Sequence, residues 1–296
     1  MKVAVIAHAG KSFGDGLLAF RQALEAAGVT EPLWYEVPKS RKAPKQVMRA
    51  LDEGAELVIA WGGDGTVQRC IDVLAGSGVP LAIAPAGTAN LLATHLEIPQ
   101  DIEQVVAIAL GDSRRTLDVG TINGEHFAVM AGAGFDAEML KEADGGLKDA
   151  VGRVAYLWTG AKQLRATPVK TKIKVDGTTW FDDVSSCVLV GNVGGVFGGV
   201  DLFDGAEPDD GLLELGVVTA DGLTDWARTL ARTALGSSAK SPFVQVTRAK
   251  KIRITFGEKV LYELDGGDRD EVVKLKIGIE PGAITICVPA KEQVSG

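Results

Sequence analysis

Apolar residues in the first 120 positions fall into short runs, separated by segments where they recur every three or four residues. Lys2–Ala7, Leu33–Val37, Leu57–Trp61 and Pro80–Ala84 have the length of buried strands. Between them, Gly16–Ala27 places Leu17, Phe20 and Leu24 on one helical face, and Pro44–Glu53, Val67–Ala75 and Ile102–Leu110 also read as helices, with another following Asn90. Strand and helix alternating at this spacing predict a Rossmann-like α/β domain, a parallel sheet with helices on both faces. Near Asp118 the pattern changes to strand-length stretches, many of them alternating. These are Leu117–Ile122, Phe127–Ala131, Lys170–Val175, Ser185–Val190, Leu212–Val218, Ile252–Phe256, Lys274–Ile279 and Ala283–Val288. Asp176-Gly177 before Thr178–Phe181 is a hairpin signal. Helices are expected only at about Lys148–Leu164 and Leu223–Leu235, and Lys291–Gly296 reads as a frayed tail. The expected organisation is an α/β domain over 1–118 and an antiparallel β-rich domain over 119–283, with 284–296 returning to the first.

Composition narrows the function classes. The 296 residues carry 31 Lys+Arg against 39 Asp+Glu, a net charge of −8, which argues against a nucleic-acid binder. Cys70, Cys187 and Cys287 are scattered among apolar residues and read as buried thiols; His8, His95 and His126 lack metal-ligand spacing. No signal peptide or transmembrane segment is legible, so a cytoplasmic location is expected. Arg41-Lys42 with Lys45, and Arg248 through Arg253, read as solvated faces.

Two phosphate-binding look-alikes fail on context. Gly10-Lys11-Ser12 resembles the end of a P-loop, but its opening glycine would fall on Val5, inside the first strand. Gly14-Asp15-Gly16 lies seven residues beyond that strand, too far for the dinucleotide turn.

Gly62-Gly63-Asp64-Gly65-Thr66 is different, because it follows a buried strand directly and opens a helix. Its glycines let backbone N–H groups approach an anion, and the helix N-terminus adds partial positive charge. One strand later, Gly87-Thr88-Ala89-Asn90 places a second small-residue loop at the same sheet edge, where open α/β sheets bind ligands.

These segments resemble the diacylglycerol kinase catalytic family, whose GGDGT signature is shared with sphingosine kinases and NAD kinases. The resemblance continues through Pro85–Ala93, Leu96–Pro99, Leu117–Gly120, Ala133–Ala137, Gly152–Tyr156, Gly191-Asn192, Asp209–Glu214 and Leu264–Gly266, in the family's order. It implies a nucleotide-binding α/β domain, a β-sandwich-like second domain and a cleft between them. ATP would lie on Gly62, Gly63, Gly65, Thr66, Gly87, Thr88 and Asn90. Asp265 falls on the position of the family's general base, Asp64 is a second catalytic candidate, and Asp210 with the carbonyls near Glu207 and Leu212 matches a structural Mg²⁺ site. The implied activity is ATP- and Mg²⁺-dependent transfer of a phosphoryl group to diacylglycerol or a related long-chain lipid. The substrate would come from a membrane surface through transient peripheral contact; the resemblance leaves monomer and homodimer both open. Two alternatives are a NAD kinase and a non-catalytic nucleotide- or lipid-binding protein. Three positions depart from the family: Gly267 stands where the family has glutamate, Leu91 where it has aspartate, and His8-Ala9 where it opens with Asn-Pro.

Overall fold

The computed structural model describes residues 1–134, 168–196, 200–201, 203, 205–220 and 242–290. The chain forms two compact units. The first contains Met1–Val119, His126–Ala128 and the described residues from Glu280 onward; the second contains Gly120–Glu125 and the described residues of Val129–Ile279. The helices expected at about Lys148–Leu164 and Leu223–Leu235, the segments Phe135–Ala137 and Gly152–Tyr156, and the tail Lys291–Gly296 lie outside the described residues.

In the first unit, β1 (Val3–His8), β2 (Leu33–Val37), β3 (Leu57–Gly62) and β4 (Leu81–Pro85) pair in parallel in the order β4-β3-β1-β2. All six residues of β3 and all five of β4 are buried, as expected of parallel strands covered on both faces. The connections are α1 (Gly16–Ala26), a 3-10 turn at Ser40–Lys42, α2 (Ala43–Asp52), α3 (Asp64–Leu74), α4 (Leu91–His95) and α5 (Ile102–Leu110). Helix α1 buries Phe20 and Leu24, and α2 buries Ala43, Val47 and Ala50. Asp101 caps α5, its Oδ1 accepting the Gln104 N–H at 2.8 Å. Leaving α5, the chain enters β5 (Arg114–Ile122) and β6 (Glu125–Phe127).

The second unit is built from antiparallel strands. They are β7 (Met130–Ala133), β8 (Val169–Val175), β9 (Thr178–Ser185), β10 (Cys187–Gly191), β11 (Gly195–Val196), β12 (Val200–Asp201), β13 (Leu213–Val218), β14 (Val244–Ala249), β15 (Lys251–Leu264) and β16 (Gly267–Cys287). Their order is β14-β13-β10-β7-β15-β16, with β8 paired to β15 and β9 to β8, while β11 and β12 form a separate ladder. Asp176 and Gly177 both adopt positive φ, the geometry of a two-residue hairpin turn between β8 and β9.

Three sequence expectations change. The run Phe127–Ala131 is divided between β6 and β7. Strand β14 falls where none was expected. Lys274–Ile279 and Ala283–Val288 belong to one strand, β16, whose end returns to the first unit, where Ile286 pairs with Leu81. Gly282 keeps that strand continuous: it adopts φ +61° and donates its N–H to Asp118 Oδ1 at 2.8 Å.

Candidate functional site

The parallel strands of the first unit all deliver their connecting loops to one sheet edge. After β3 the chain turns through Gly62 and Gly63 into α3; after β4 it passes through Ala86–Asn90 into α4. The two turns meet at backbone level. A Cβ on Gly87 would lie 2.4 Å from the Gly63 Cα, and one on Gly63 would lie 2.9 Å from the Gly87 Cα. No side chain fits at either position, so glycine is required here by close approach. Gly62 is constrained similarly, since a Cβ there would sit 2.5 Å from the Thr66 side chain.

Polar side chains lock this arrangement. Asn90 adopts the left-handed conformation, φ 48°, and its amide folds back on its own loop. Its Oδ1 accepts the Gly87 N–H at 2.8 Å, and its Nδ2 donates to the Gly87 carbonyl at 2.9 Å. Asp64 opens α3, yet its carboxylate serves the neighbouring loop: Oδ1 accepts the Leu91 N–H at 2.6 Å, at the start of α4. That helix gets no capping hydrogen bond from the side chain of its own N-cap, Asn90, so Asp64 supplies the acceptor across the two turns. Burial pushes the Asp64 carboxyl up from its ordinary value, opposed by its bond from the Leu91 N–H. Thr66 is 1% exposed, and its hydroxyl lies 2.9 Å from Ser40 Oγ. The loop after β1 is held by Trp61, which donates Nε1–H to the Lys11 carbonyl at 3.0 Å and stacks on Phe13 at 4.4 Å.

The first unit thus gathers the expected nucleotide-binding residues at one edge: Gly62, Gly63, Gly65, Thr66, Gly87, Thr88 and Asn90. Ser40 is an addition that the sequence did not signal, because it sits one strand away among Lys39, Arg41 and Lys42. Abutting glycine turns at two helix starts form a backbone cradle suited to a polyphosphate.

Asp265 belongs to the second unit and is 2% exposed. It occupies the β15–β16 turn at φ 43°, and its Oδ1 accepts the N–H groups of Val129 and Met130 at 3.0 and 2.9 Å. These bonds fix the carboxylate's orientation. Glu263, two residues earlier and directly across the ladder from Asp268, is a group that the sequence reading passed over. Burial, with the Asp268 and Asp265 charges adding to it, pushes its carboxyl up to about 7. The signal was available: Glu263 is a charged residue between the buried Tyr262 and Leu264, close to a candidate base.

At the expected metal position, Asp210 Oδ1 accepts the Leu212 N–H at 2.9 Å, and Oδ2 pairs with the Arg248 guanidinium. Arg248 also bonds Glu214 through Nε at 2.6 Å. Glu207 is exposed. Both oxygens of Asp210 are engaged by nitrogen donors, and no group of three or more His, Cys, Asp or Glu among the described residues is placed to hold a metal.

Comparison with known proteins follows the same division of the chain. Residues 2–122 match the family model of the diacylglycerol kinase catalytic domain, and residues 129–288 match that of the YegS C-terminal NAD kinase beta sandwich-like domain. A YegS-like lipid kinase of Cronobacter sakazakii is 30% identical over 83% of both chains. The diacylglycerol kinase of Bacillus subtilis is 28% identical over 71% of both. Among solved structures, a diacylglycerol kinase from Bacillus anthracis superposes with a TM-score of 0.75 at 23% identity, covering 97% of each chain. An NAD kinase from Archaeoglobus fulgidus gives 0.54 at 12% identity, covering 97% of this chain and 93% of that one. These structures share the fold: a parallel α/β part followed by an antiparallel, sandwich-like part.

Proposed function

The chain belongs to the diacylglycerol kinase catalytic-domain family of phosphotransferases with an alcohol acceptor, and from that premise we propose that it transfers the γ-phosphoryl group of ATP to a hydroxyl of diacylglycerol or a related long-chain lipid. The observation that carries this reading is the pair of glycine turns in backbone contact, with Asp64 and Asn90 spent on holding them there.

In this reading the N–H groups of Gly62, Gly63 and Gly65 face the ATP phosphates, with Thr66, Gly87, Thr88 and Asn90 shaping the same edge. Phosphoryl transfer demands positioning and charge stabilisation above all, and a preformed backbone cradle provides both without reorganising. Mg²⁺ accompanying ATP would neutralise charge on the phosphate oxygens. Asp265 takes the proton of the lipid hydroxyl as its oxygen bonds to the γ-phosphorus and the bond to ADP breaks. Its bonds from Val129 and Met130 hold the carboxylate in one orientation for that task. Among the described residues no helix is long and apolar enough to cross a membrane, consistent with a protein that meets its lipid by peripheral contact.

The test is transfer of labelled γ-phosphate from ATP to diacylglycerol, monoacylglycerol, sphingosine, ceramide and phosphatidylglycerol in mixed micelles, with NAD as a further acceptor. Asp265→Asn is the informative variant, because an amide oxygen can still accept from Val129 and Met130. A lipid product that disappears in this variant, with ATP binding and melting temperature retained, supports the reading. Turnover unchanged in Asp265→Asn would remove its role as base. ATP binding without any product would point to a nucleotide-binding protein that has lost catalysis, with Gly267 as the first position to restore to glutamate.

A further inference from the structure

The outward face of the second unit's sheet carries a concentration of positive charge that its fold does not require. Where β8 (171–174), β15 (252–256) and β16 (274–277) pair with one another, exposed and buried residues alternate. Ile173, Ile252, Ile254, Phe256, Leu275 and Ile277 are buried on one face, while Lys172, Lys174, Arg253, Thr255, Lys274 and Lys276 are exposed on the other. The ladder registers align the exposed residues into rows. Arg253 lies directly between Lys174 and Lys276, and Thr255 lies between Lys172 and Lys274. With strands about 4.8 Å apart and same-face residues roughly 7 Å apart along each strand, five cations share one small, flat patch.

Like charges placed directly opposite each other destabilise a sheet, and nothing buried on the inner face calls for lysine or arginine outside. Asp182 relieves only one edge, bonding Lys172 at 2.7 Å and Lys170 at 3.2 Å. Among the described residues, Lys174, Arg253, Lys274 and Lys276 have no carboxylate partner within salt-bridge distance. All this lies on a chain of net charge −8, so the positive field is local. Arg253, which the sequence alone assigns to a solvated face, is the centre of the patch.

We propose that this face docks on an anionic lipid bilayer, its cations meeting headgroup phosphates. A broad sheet face cannot enter a nucleic-acid groove, and its two rows contain no aromatic side chain on which bases could stack. A bilayer matches both its flatness and its charge. The choice of a bilayer over another polyanion rests on the lipid-kinase reading above.

The test is co-sedimentation with vesicles of phosphatidylcholine alone and of equal parts phosphatidylcholine and phosphatidylglycerol, at low and high salt. The wild-type chain is expected to bind only the anionic vesicles and to be released by salt. The triple variant Lys174→Glu/Arg253→Glu/Lys276→Glu should bind at least tenfold more weakly, while Lys45→Glu on α2 should bind normally. Its melting temperature should hold or rise, since repulsion across the ladder is relieved. Wild-type indifference to phosphatidylglycerol, or equal binding by the triple variant, overturns the proposal. So does patch-dependent binding of polyuridylate in place of vesicles. Phosphate transfer to a short-chain diacylglycerol in detergent separates the two ideas. If neither protein transfers phosphate but vesicle binding still follows the patch, the kinase reading fails and the docking surface stands.

Discussion

Replacing Glu263 with glutamine should flatten part of the pH dependence of stability. The carboxyl sits half-buried on β15 opposite Asp268, and its value in the folded protein is about 7 against an ordinary 4.5. In the unfolded chain the group loses its proton near the ordinary value; in the folded chain it keeps it until about neutrality. Stability is therefore undiminished at low pH and declines as pH rises from about 4.5 to about 7, after which the loss is complete. At about 1.4 kcal/mol per tenfold change in proton affinity, the full displacement corresponds to roughly 3 kcal/mol. Residual exposure of the side chain makes about 1–3 kcal/mol the reasonable range. Glutamine resembles the protonated form in shape and carries no charge at any pH. The variant should match the wild type near pH 5 and exceed it by that range near pH 8. Urea unfolding of both proteins at the two pH values, followed by tryptophan fluorescence and circular dichroism, reads this difference directly. A variant whose offset from the wild type is the same at pH 5 and pH 8, within about half a kcal/mol, would refute the argument that burial and the neighbouring carboxylates hold the proton on Glu263.

Other consequences follow from the same geometry. Gly87→Ala forces a methyl group into the Gly63 backbone and should weaken ATP binding at least tenfold by calorimetry; binding at wild-type affinity would mean that the turns can part without cost. Asp64→Ala removes the acceptor for the Leu91 N–H and should lower stability by about 1 kcal/mol, whereas Asp64→Asn should recover most of it in a denaturant titration. His126 lies between two carboxylates, with Nδ1 3.0 Å from Asp72 and Nε2 3.3 Å from Glu280, and the bond to Asp72, reinforced by Glu280, raises its value against the opposing effect of burial. Its contribution should be complete below about pH 6.5 and fade as pH rises through the raised folded value, and melting curves of His126→Gln should lack that decline.

Much of the α/β half was legible in the sequence because its signals are local. Leu57–Trp61 is a short continuous apolar run, as a strand covered on both faces requires; Gly62 and Gly63 then mark the turn without reference to anything distant. Tight turns are also local, which is why Asp176-Gly177 announced its hairpin. The family resemblance rests on ordered short segments, again a property of the chain as written. Sequence reading failed where pairing across long separations decides the outcome. Val244–Ala249 has a weak apolar pattern and becomes a strand because β13 offers a partner ladder. The break expected between Ile279 and Ala283 is bridged because Asp118, far away in the chain, accepts the Gly282 N–H. The site divides in the same way. The residue types of both glycine turns were visible, but their contact through Gly63 and Gly87 was not, nor was the use of Asp64 to cap the neighbouring helix. Ser40 and the basic rows around Arg253 have no local signature at all, and Glu263 has none beyond its apolar neighbours. Their properties arise from what lies across a ladder or beside a turn: a proton affinity from Asp268, a hydroxyl partner in Thr66, a row of like charge from Lys174 and Lys276. Hydrophobic period and turn chemistry act over a few residues and can be read along the chain; electrostatic coupling and backbone close approach depend on distances in space, which only the folded arrangement sets.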